Sequence, residues 1–309
     1  MIDKVQDVIM IGAGPSALTA AIYTTREDIG TVLYERAVVG GLAAITDKID
    51  NYPGFPDGIE GLTLTEQMRK QAEKFGAKIE IGEVTTIRDE GTQKVVTVDG
   101  VELKTKVILI ATGSGYNKIG VPGEAEYYGK GVHYCATCDG AFYRGKQLIV
   151  VGGGNSAVQE AIFLTHFASH IDLLVRSIVK ASDILQRELQ KSVNEGKIAV
   201  HIGTTTDEII ATDGHVTSVR ATTKGKSITI DTDGVFIFAG LRPNTQFLNG
   251  SGIELDETGF IKTDAKLQTN ITGIFASGDV RSGATMQIAS AVGEGATVAY
   301  SIREYLHNL

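Results

Sequence analysis

The sequence predicts an α/β protein of two Rossmann-like domains, each a three-layer ββα nucleotide-binding fold, with the second inserted into the first. Three observations predict it. The loops Gly12-Ala13-Gly14-Pro15-Ser16-Ala17 and Gly152-Gly153-Gly154-Asn155-Ser156-Ala157 both read G-x-G-x-x-A, and each lies between a short apolar run and a helix-like stretch. Each loop is followed by the same series: a helix, a β-rich excursion, and an apolar run ending on glycine, at 107–113 and again at 234–240. The remainder from about residue 247 is too short for a third domain. The expected division is 1–116 with 245–309 for the first domain and 117–244 for the second.

In order, residues 7–11 read as a strand, 17–26 as a helix and 31–34 as a second strand with Glu35 at its end. Gly12 allows the sharp turn, Gly14 lets backbone approach a pyrophosphate, and Ala17 allows close helix–strand packing. The helix start offers free N–H groups to phosphates, and Glu35 stands where a carboxylate can accept from ribose hydroxyls. Gly40-Gly41 and Asn51-Tyr52-Pro53-Gly54-Phe55-Pro56 read as loop. Thr63-Leu64-Thr65-Glu66 has the pattern of a capping box opening a helix to about Phe75. Short strands follow at 78–81, 84–88, 95–98 and 101–104, then a buried parallel strand over Val107-Ile108-Leu109-Ile110. In the second half, strands are expected at 147–151 and 171–175, helices to about Phe167 and over 182–195, and β segments at 208–212, 216–222 and 227–231. A last strand, Ile274-Phe275-Ala276, runs into Ser277-Gly278-Asp279, and a helix from about Gln287 completes the first domain.

With 42% hydrophobic and 21% charged residues, the chain has the composition of a globular protein with ample core. A net charge of −8 speaks against a nucleic-acid or anionic-membrane partner. The first ten residues lack a basic segment followed by a long apolar run, and no run approaches the ~20 apolar residues of a membrane span. A cytoplasmic location is the expectation.

The chain has two cysteines, and both fall in His133-Tyr134-Cys135-Ala136-Thr137-Cys138-Asp139-Gly140. A lone Cys-x-x-Cys beside βαβ patterning reads as redox-active or as half of a metal site. A zinc site needs four ligands, and there is no second cysteine pair. His166 and His170 have i, i+4 spacing, but a helix ending near Phe167 puts His170 in the turn, and no Glu follows the first His. The expected metal complement is none. Two nucleotide loops plus a dithiol make a chain of electron carriers, and a flavin suits the junction between a hydride donor and a thiol–disulfide couple.

On these motifs, together with Gly40-Gly41, Asn51 to Pro56, Ala111-Thr112-Gly113, Gly240, Pro243-Asn244 and Gly278-Asp279-Val280, the chain resembles the low-molecular-weight, bacterial-type thioredoxin reductases over nearly its whole length. The resemblance implies that FAD binds Gly12, Gly14, Pro15, Ser16 and Ala17, with Glu35, Arg36, Gly41, Leu42 and Asn51. It adds Ala111, Thr112 and Gly113, then Gly278, Asp279, Met286, Gln287 and Ile288. A nicotinamide nucleotide, NADPH or NADH, is implied at Gly152, Gly154, Asn155, Ser156, Ala157, Arg176, Lys180 and Gly240. The catalytic residues carried over are Cys138, facing the flavin, Cys135, attacking the partner's disulfide, and Asp139, exchanging a proton with the thiolate. A thioredoxin-like protein disulfide is the implied substrate, and a homodimer the implied assembly.

The pattern departs from the family in places. NADPH-specific members carry His-Arg-Arg and a further Arg after the second strand of the inserted domain; here the segment is Leu174-Val175-Arg176-Ser177-Ile178-Val179-Lys180. Serine cannot reproduce the forked grip of arginine on a phosphate. NADH, a ferredoxin or another flavoprotein therefore stand as alternative donors, and a flavin-based redox sensor as an alternative of another class. Leu42 stands where Gln is usual, and Met286 where Arg is usual. A dithiol serving a buried flavin and then a protein predicts rotation of the inserted domain about hinges near 116–118 and 242–245.

Overall fold

The computed structural model describes residues 5–46 and 48–309; the first four residues of the stretch read for a leader lie outside them. The chain divides into two compact units, Met1–Gly115 with Arg242–Leu309, and Tyr116–Leu241. The sequence-based boundaries at 116/117 and 244/245 shift to 115/116 and 241/242. Asn244 explains the second shift. Its backbone N–H donates to Gly113 O (3.0 Å) and its side-chain amide to Thr112 O (2.8 Å), which ties it to the first unit.

The first unit begins β1 (Gln6–Ile11), α1 (Pro15–Thr25), β2 (Thr31–Glu35), α2 (Gly41–Ala44), α3 (Gly61–Lys74), β3 (Lys78–Ile81), β4 (Val84–Glu90), β5 (Gln93–Val98) and β6 (Val101–Ile110). The first crossing is β7 (Ser114–Tyr116). The second unit holds β8 (Val132–His133), α4 (Ala136–Asp139), β9 (Gln147–Val151), α5 (Asn155–Leu164), β10 (His170–Val175), α6 (Asp183–Asn194) and β11 (Ile198–Ile202). It continues with β12 (Thr204–Thr212), β13 (His215–Thr223), β14 (Lys226–Asp231) and β15 (Gly234–Ile237). The return crossing is β16 (Leu241–Pro243), and β17 (Ile274–Ala276) and α7 (Ile288–His307) complete the first unit.

Parallel strands β3-β2-β1-β6-β17 form the central sheet of the first unit, and β11-β10-β9-β15-β8 that of the second. Side chains alternate across each sheet as the two-residue strand period requires. In β1, Val8 and Met10 pack with Leu18, Leu64 and Val298 of the helices. Ile9 and Ile11 pack with Val84, Ile87 and Val96 of the antiparallel layer. In the second unit Leu148 and Val150 meet Val158 and Leu164, while Ile149 meets Ile209 and Val219. Each unit is thus helices, sheet and a second β layer, the expected α/β class with parallel sheets.

Two local expectations need correction, and one strand was not expected. The capping box is displaced: α3 opens at Gly61, and Thr63 lies in its first turn donating to Glu60 Oε2 (2.7 Å). Gly61 is drawn into the helix by close packing, since a Cβ there would come within 1.9 Å of Ala43 O. Residues 101–104 and 107–110 are one strand, because β6 pairs antiparallel with β5 at one end and parallel with β1 at the other. The edge strand β11 lacked a sequence signal; its alternating side chains are only half covered.

Candidate active site

The redox pair sits at an edge of the second unit's sheet. β8 pairs with β15 through Val132↔Val235 and His133↔Phe236. The chain then turns into the single-turn helix α4, of which Cys135 is the N-cap; Cys138 N–H donates to Cys135 Sγ at 3.2 Å. Cys135 and Cys138 are joined as a disulfide with Cα atoms 5.3 Å apart. Asp139 closes the turn, its Oδ2 3.2 Å from His133 Nδ1.

The first nucleotide loop lies between β1 and α1. Gly12 has φ +96°, and a Cβ there would approach Ala111 O to 2.5 Å, whereas one at Gly14 would meet nothing within 4 Å. The turn is therefore closed at Gly12 and open at Gly14, the shape a bound phosphate needs. Pro15 opens α1, where its missing N–H costs nothing. The Ser16 hydroxyl is held by Ser277 Oγ (2.7 Å), so the residue offers its backbone N–H to an anion. Ala17 is fully buried against the sheet. Glu35 Oε2 accepts from Ala13 N–H and Oε1 from Ala37 N–H, both at 2.9 Å, which fixes the carboxylate beside the loop. A cavity of about 310 Å³ opens there, lined by Gly12, Glu35, Arg36, Glu83, Thr112 and Phe247 among others.

Other predicted residues are drawn to the same unit. Gly41 begins α2, with Leu42 exposed beside it, and Gly40 N–H donates to Ala13 O. Asn51 Nδ2 donates to Gln287 Oε1 (3.1 Å); Gln287 is the N-cap of α7, which Ile288 opens. Met286 takes φ +58° and its sulfur accepts from Ser114 Oγ (3.7 Å). Ala111, Thr112 and Gly113 follow β6, where Thr112 Oγ1 donates to Asn244 O (2.8 Å) and Gly113 takes φ +65°.

Gly278, at φ +73°, and Asp279 follow β17. Sequence reading missed what holds this turn. Glu294 of α7 accepts from Gly278 N–H (2.7 Å) and pairs with Arg281 (2.5 Å), both side chains largely buried. A glutamate between Gly293 and Gly295 in an otherwise small and apolar helix face was the available signal. Burial, and then the Glu294 charge, push the Asp279 carboxyl up to about 6.

The second loop repeats the first. Gly152 N–H donates to Leu174 O as Gly12 N–H does to Tyr34 O. A Cβ on Gly152 would come within 2.5 Å of Phe238 O, and Gly154 is open. Asn155 Oδ1 accepts from Ser182 N–H (2.8 Å), Ser156 is exposed and Ala157 buried. Gly240, φ +98°, accepts from Asn117 N–H. The two backbone bonds align Leu174 with Tyr34, and so Val175 with Glu35 and Arg176 with Arg36. Glu35 of the first unit is thus matched by a buried valine in the second, whose methyl would touch any Cβ at Gly153 (2.8 Å). Arg176 and Lys180 are both exposed, Lys180 with its backbone N–H on Gly153 O, and neither has an ion pair among the described residues. His166 follows α5 and His170 opens β10, so they share no helix face.

Residues 6–295 match the family model described as pyridine nucleotide-disulphide oxidoreductase. The chain belongs to this family. It is 41% identical over 310 residues to the thioredoxin reductase of Bacillus subtilis, covering 99% of this chain and 96% of that one. The crystal structure of thioredoxin reductase from Streptococcus pyogenes superposes with a TM-score of 0.93 at 38% identity, covering 99% of both chains. The Giardia duodenalis thioredoxin reductase gives 0.92 at 30% identity, covering 99% of this chain and all of that one. The cofactors the family implies are FAD and a nicotinamide nucleotide. No helix among the described residues is long and apolar enough to cross a membrane.

Proposed function

We infer that this chain is an FAD-dependent thioredoxin-disulfide reductase, drawing electrons from NAD(P)H and passing them through Cys135 and Cys138 to a thioredoxin. The carrying observation is a disulfide at the N-cap of α4, with Asp139 one residue beyond it, in a chain with two phosphate-shaped loops. FAD bound at the first loop supplies the junction between two-electron hydride chemistry and thiol–disulfide chemistry. Gly14, Glu35, Asn51, Gln287 and Asp279 fit it: an open glycine for the pyrophosphate, a fixed carboxylate for the ribose, and polar groups converging from α7 and the turn after β17. Gly154, Ser156, Arg176 and Lys180 are the corresponding set for the nicotinamide nucleotide.

In the protein's own chemistry, Cys135 thiolate attacks a sulfur of the thioredoxin disulfide and releases one partner thiol. Cys138 then attacks Cys135, releasing the second and restoring the Cys135–Cys138 bond. Asp139 exchanges the proton that Cys138 gains or loses. Because the dithiol serves an internal and an external partner in turn, the inserted unit rotates about the two crossings between half-cycles. Two copies forming a dimer belong to the same reading.

Removing one sulfur separates the two roles. Cys138→Ser is expected to accumulate a mixed disulfide with thioredoxin through Cys135, seen by non-reducing electrophoresis and mass spectrometry, while Cys135→Ser accumulates none. An adduct at Cys138 instead would overturn the assignment.

The donor carries a second reading. The absence of a ribose acid at Val175 argues against an NADH-type grip, while Ser177 removes an arginine from an NADPH-type one. NADPH and NADH thus remain the two donors to separate, with a ferredoxin or another flavoprotein as the third.

A further inference from the structure

The partners of Asp139 extend beyond the cysteines. His133 is buried on β8, 7% exposed, yet both ring nitrogens are engaged: Nδ1 lies 3.2 Å from Asp139 Oδ2 and Nε2 2.7 Å from Tyr143 OH. The ring is held flat against Phe236 (centroids 5.1 Å, planes 29° apart) and edge-on to Tyr143. Room for Tyr143 is made by Gly234, where a Cβ would lie 2.5 Å from the tyrosine ring. The line Asp139–His133–Tyr143 is therefore built by three elements, α4, β8 and the turn after α4, with β15 behind it.

We propose that His133, oriented by Tyr143, is the positioning residue through which Asp139 is recharged with a proton during turnover. The proposal rests on the reductase reading above. Opening the disulfide breaks one S–S bond and takes up two electrons and two protons. The nicotinamide hydride brings both electrons with one proton's equivalent, and water must supply the other. Asp139 gives a proton to the sulfur of Cys138 and becomes a carboxylate; His133 takes a proton from water at Nε2, the Tyr143 hydroxyl turning to accept it, and the resulting imidazolium passes its Nδ1–H to Asp139. Imidazole suits this task because its ordinary pKa lies near neutrality, so it both gives and takes a proton at working pH.

The groups facing His133 agree with this. Asp139 on α4 is the acid it serves. Tyr143 stays protonated, its phenol pushed up by burial and then by the charges of Asp139 and Asp233. Its O–H therefore donates to Nε2 in the neutral ring, which puts the ring's one N–H on Nδ1, the nitrogen 3.2 Å from Asp139 Oδ2. From β15 the facing group is Phe236, which carries no charge. Asp233 is itself paired with Lys146 (3.3 Å).

Two variants test the proposal on the flavin-loaded protein: His133→Asn, which keeps an amide donor toward Asp139 but cannot pass a proton, and Tyr143→Phe, which removes only the hydroxyl. Two readouts are taken against pH: alkylation of the reduced dithiol by iodoacetamide, and the rate at which the dithiol forms after mixing with excess nicotinamide donor. His133→Asn is expected to slow dithiol formation about tenfold or more at neutral pH, within the range of a lost acid–base catalyst. The wild-type alkylation profile is expected to carry an inflection from the His133–Asp139 pair, and His133→Asn should erase it. Tyr143→Phe displaces that inflection by about half a pH unit or more, the size of a single hydrogen bond to an ionising group. Wild-type profiles and rates in both variants would overturn the proposal and leave His133 a satisfied core histidine. If His133→Asn fails to fold, an undisplaced inflection in Tyr143→Phe is alone sufficient to sink it. A wild-type protein that forms the dithiol but reduces no thioredoxin would count against the reductase reading and not against the relay.

Discussion

At the residue scale, two aligned positions carry opposite chemistry. Glu35 ends β2 with its carboxylate fixed by the N–H groups of Ala13 and Ala37, while Val175, at the same place on β10, is buried and apolar. The same strand end thus carries a fixed carboxylate in one unit and a buried apolar side chain in the other. Gly12 closes the turn of the first loop in a conformation that excludes a Cβ. Gly12→Ala would force a Cβ toward Ala111 O at a φ of +96°, a strain of about 1–3 kcal/mol before any steric overlap. The expected result is an FAD affinity lower by about tenfold or more, measured by flavin fluorescence on reconstitution. Retention of wild-type affinity would mean that the loop relaxes freely. Glu35 and the glycines were legible in the sequence because they follow a fixed spacing from an apolar run. Glu294 was not, because its partners Gly278 and Arg281 reach it through the fold and not through any local pattern.

At the element scale, α1 and α7 pack backbone to backbone. Gly295 makes this possible: a Cβ there would lie 2.3 Å from Ser16 O and 2.8 Å from Thr19 Cβ. The contact sets the start of α1, and so the N–H groups of the first nucleotide loop. Gly295→Val is expected to destabilise the first unit by at least the ~1–3 kcal/mol of an overpacked core, seen as a lower midpoint in urea unfolding. An unchanged midpoint would show that α7 can slide without cost. The long parallel strands were readable because burial on both faces leaves an unbroken apolar run, as in Val107-Ile108-Leu109-Ile110. The start of α3 was misread because a Thr-x-x-Glu pattern is local, whereas the helix begins where Gly61 meets Ala43. The turn α4 is too short to have a hydrophobic period; only its cysteines announced it.

At the scale of the molecule, the repeat runs down to single hydrogen bonds. Thr105, at the bend of β6, donates to Val107 O (2.9 Å) and Gln6 O (3.2 Å). Thr232, between β14 and β15, donates to Gly234 O (2.8 Å) and Gln147 O (3.1 Å). Both threonines sit where the chain leaves the antiparallel layer for the parallel sheet. The fifth strand differs: β17, from the C-terminal part, completes the first sheet, and β8, which leads into the cysteines, completes the second. The redox pair thus occupies a position that the first unit gives to Ser277-Gly278-Asp279.

The crossings β7 and β16 pair with each other, anchored by Asn244 to Gly113 in one unit and by Asn117 to Gly240 in the other. If the inserted unit rotates about them, an engineered disulfide between the units should abolish thioredoxin turnover, leave flavin binding intact and be reversed by reductant. Turnover that survives the cross-link would exclude rotation.

In the proposed reaction, electrons from a nicotinamide nucleotide reach a thioredoxin through Cys135 and Cys138. Anaerobic mixing of the flavin-loaded protein with NADPH or NADH, followed by oxidised thioredoxin, tests it most directly. The account predicts that one of the two bleaches the flavin rapidly and that thioredoxin thiols then appear in proportion to donor oxidised, with no thiols formed by Cys135→Ser. Thiol formation that persists in Cys135→Ser, or bleaching by neither nucleotide, would contradict it.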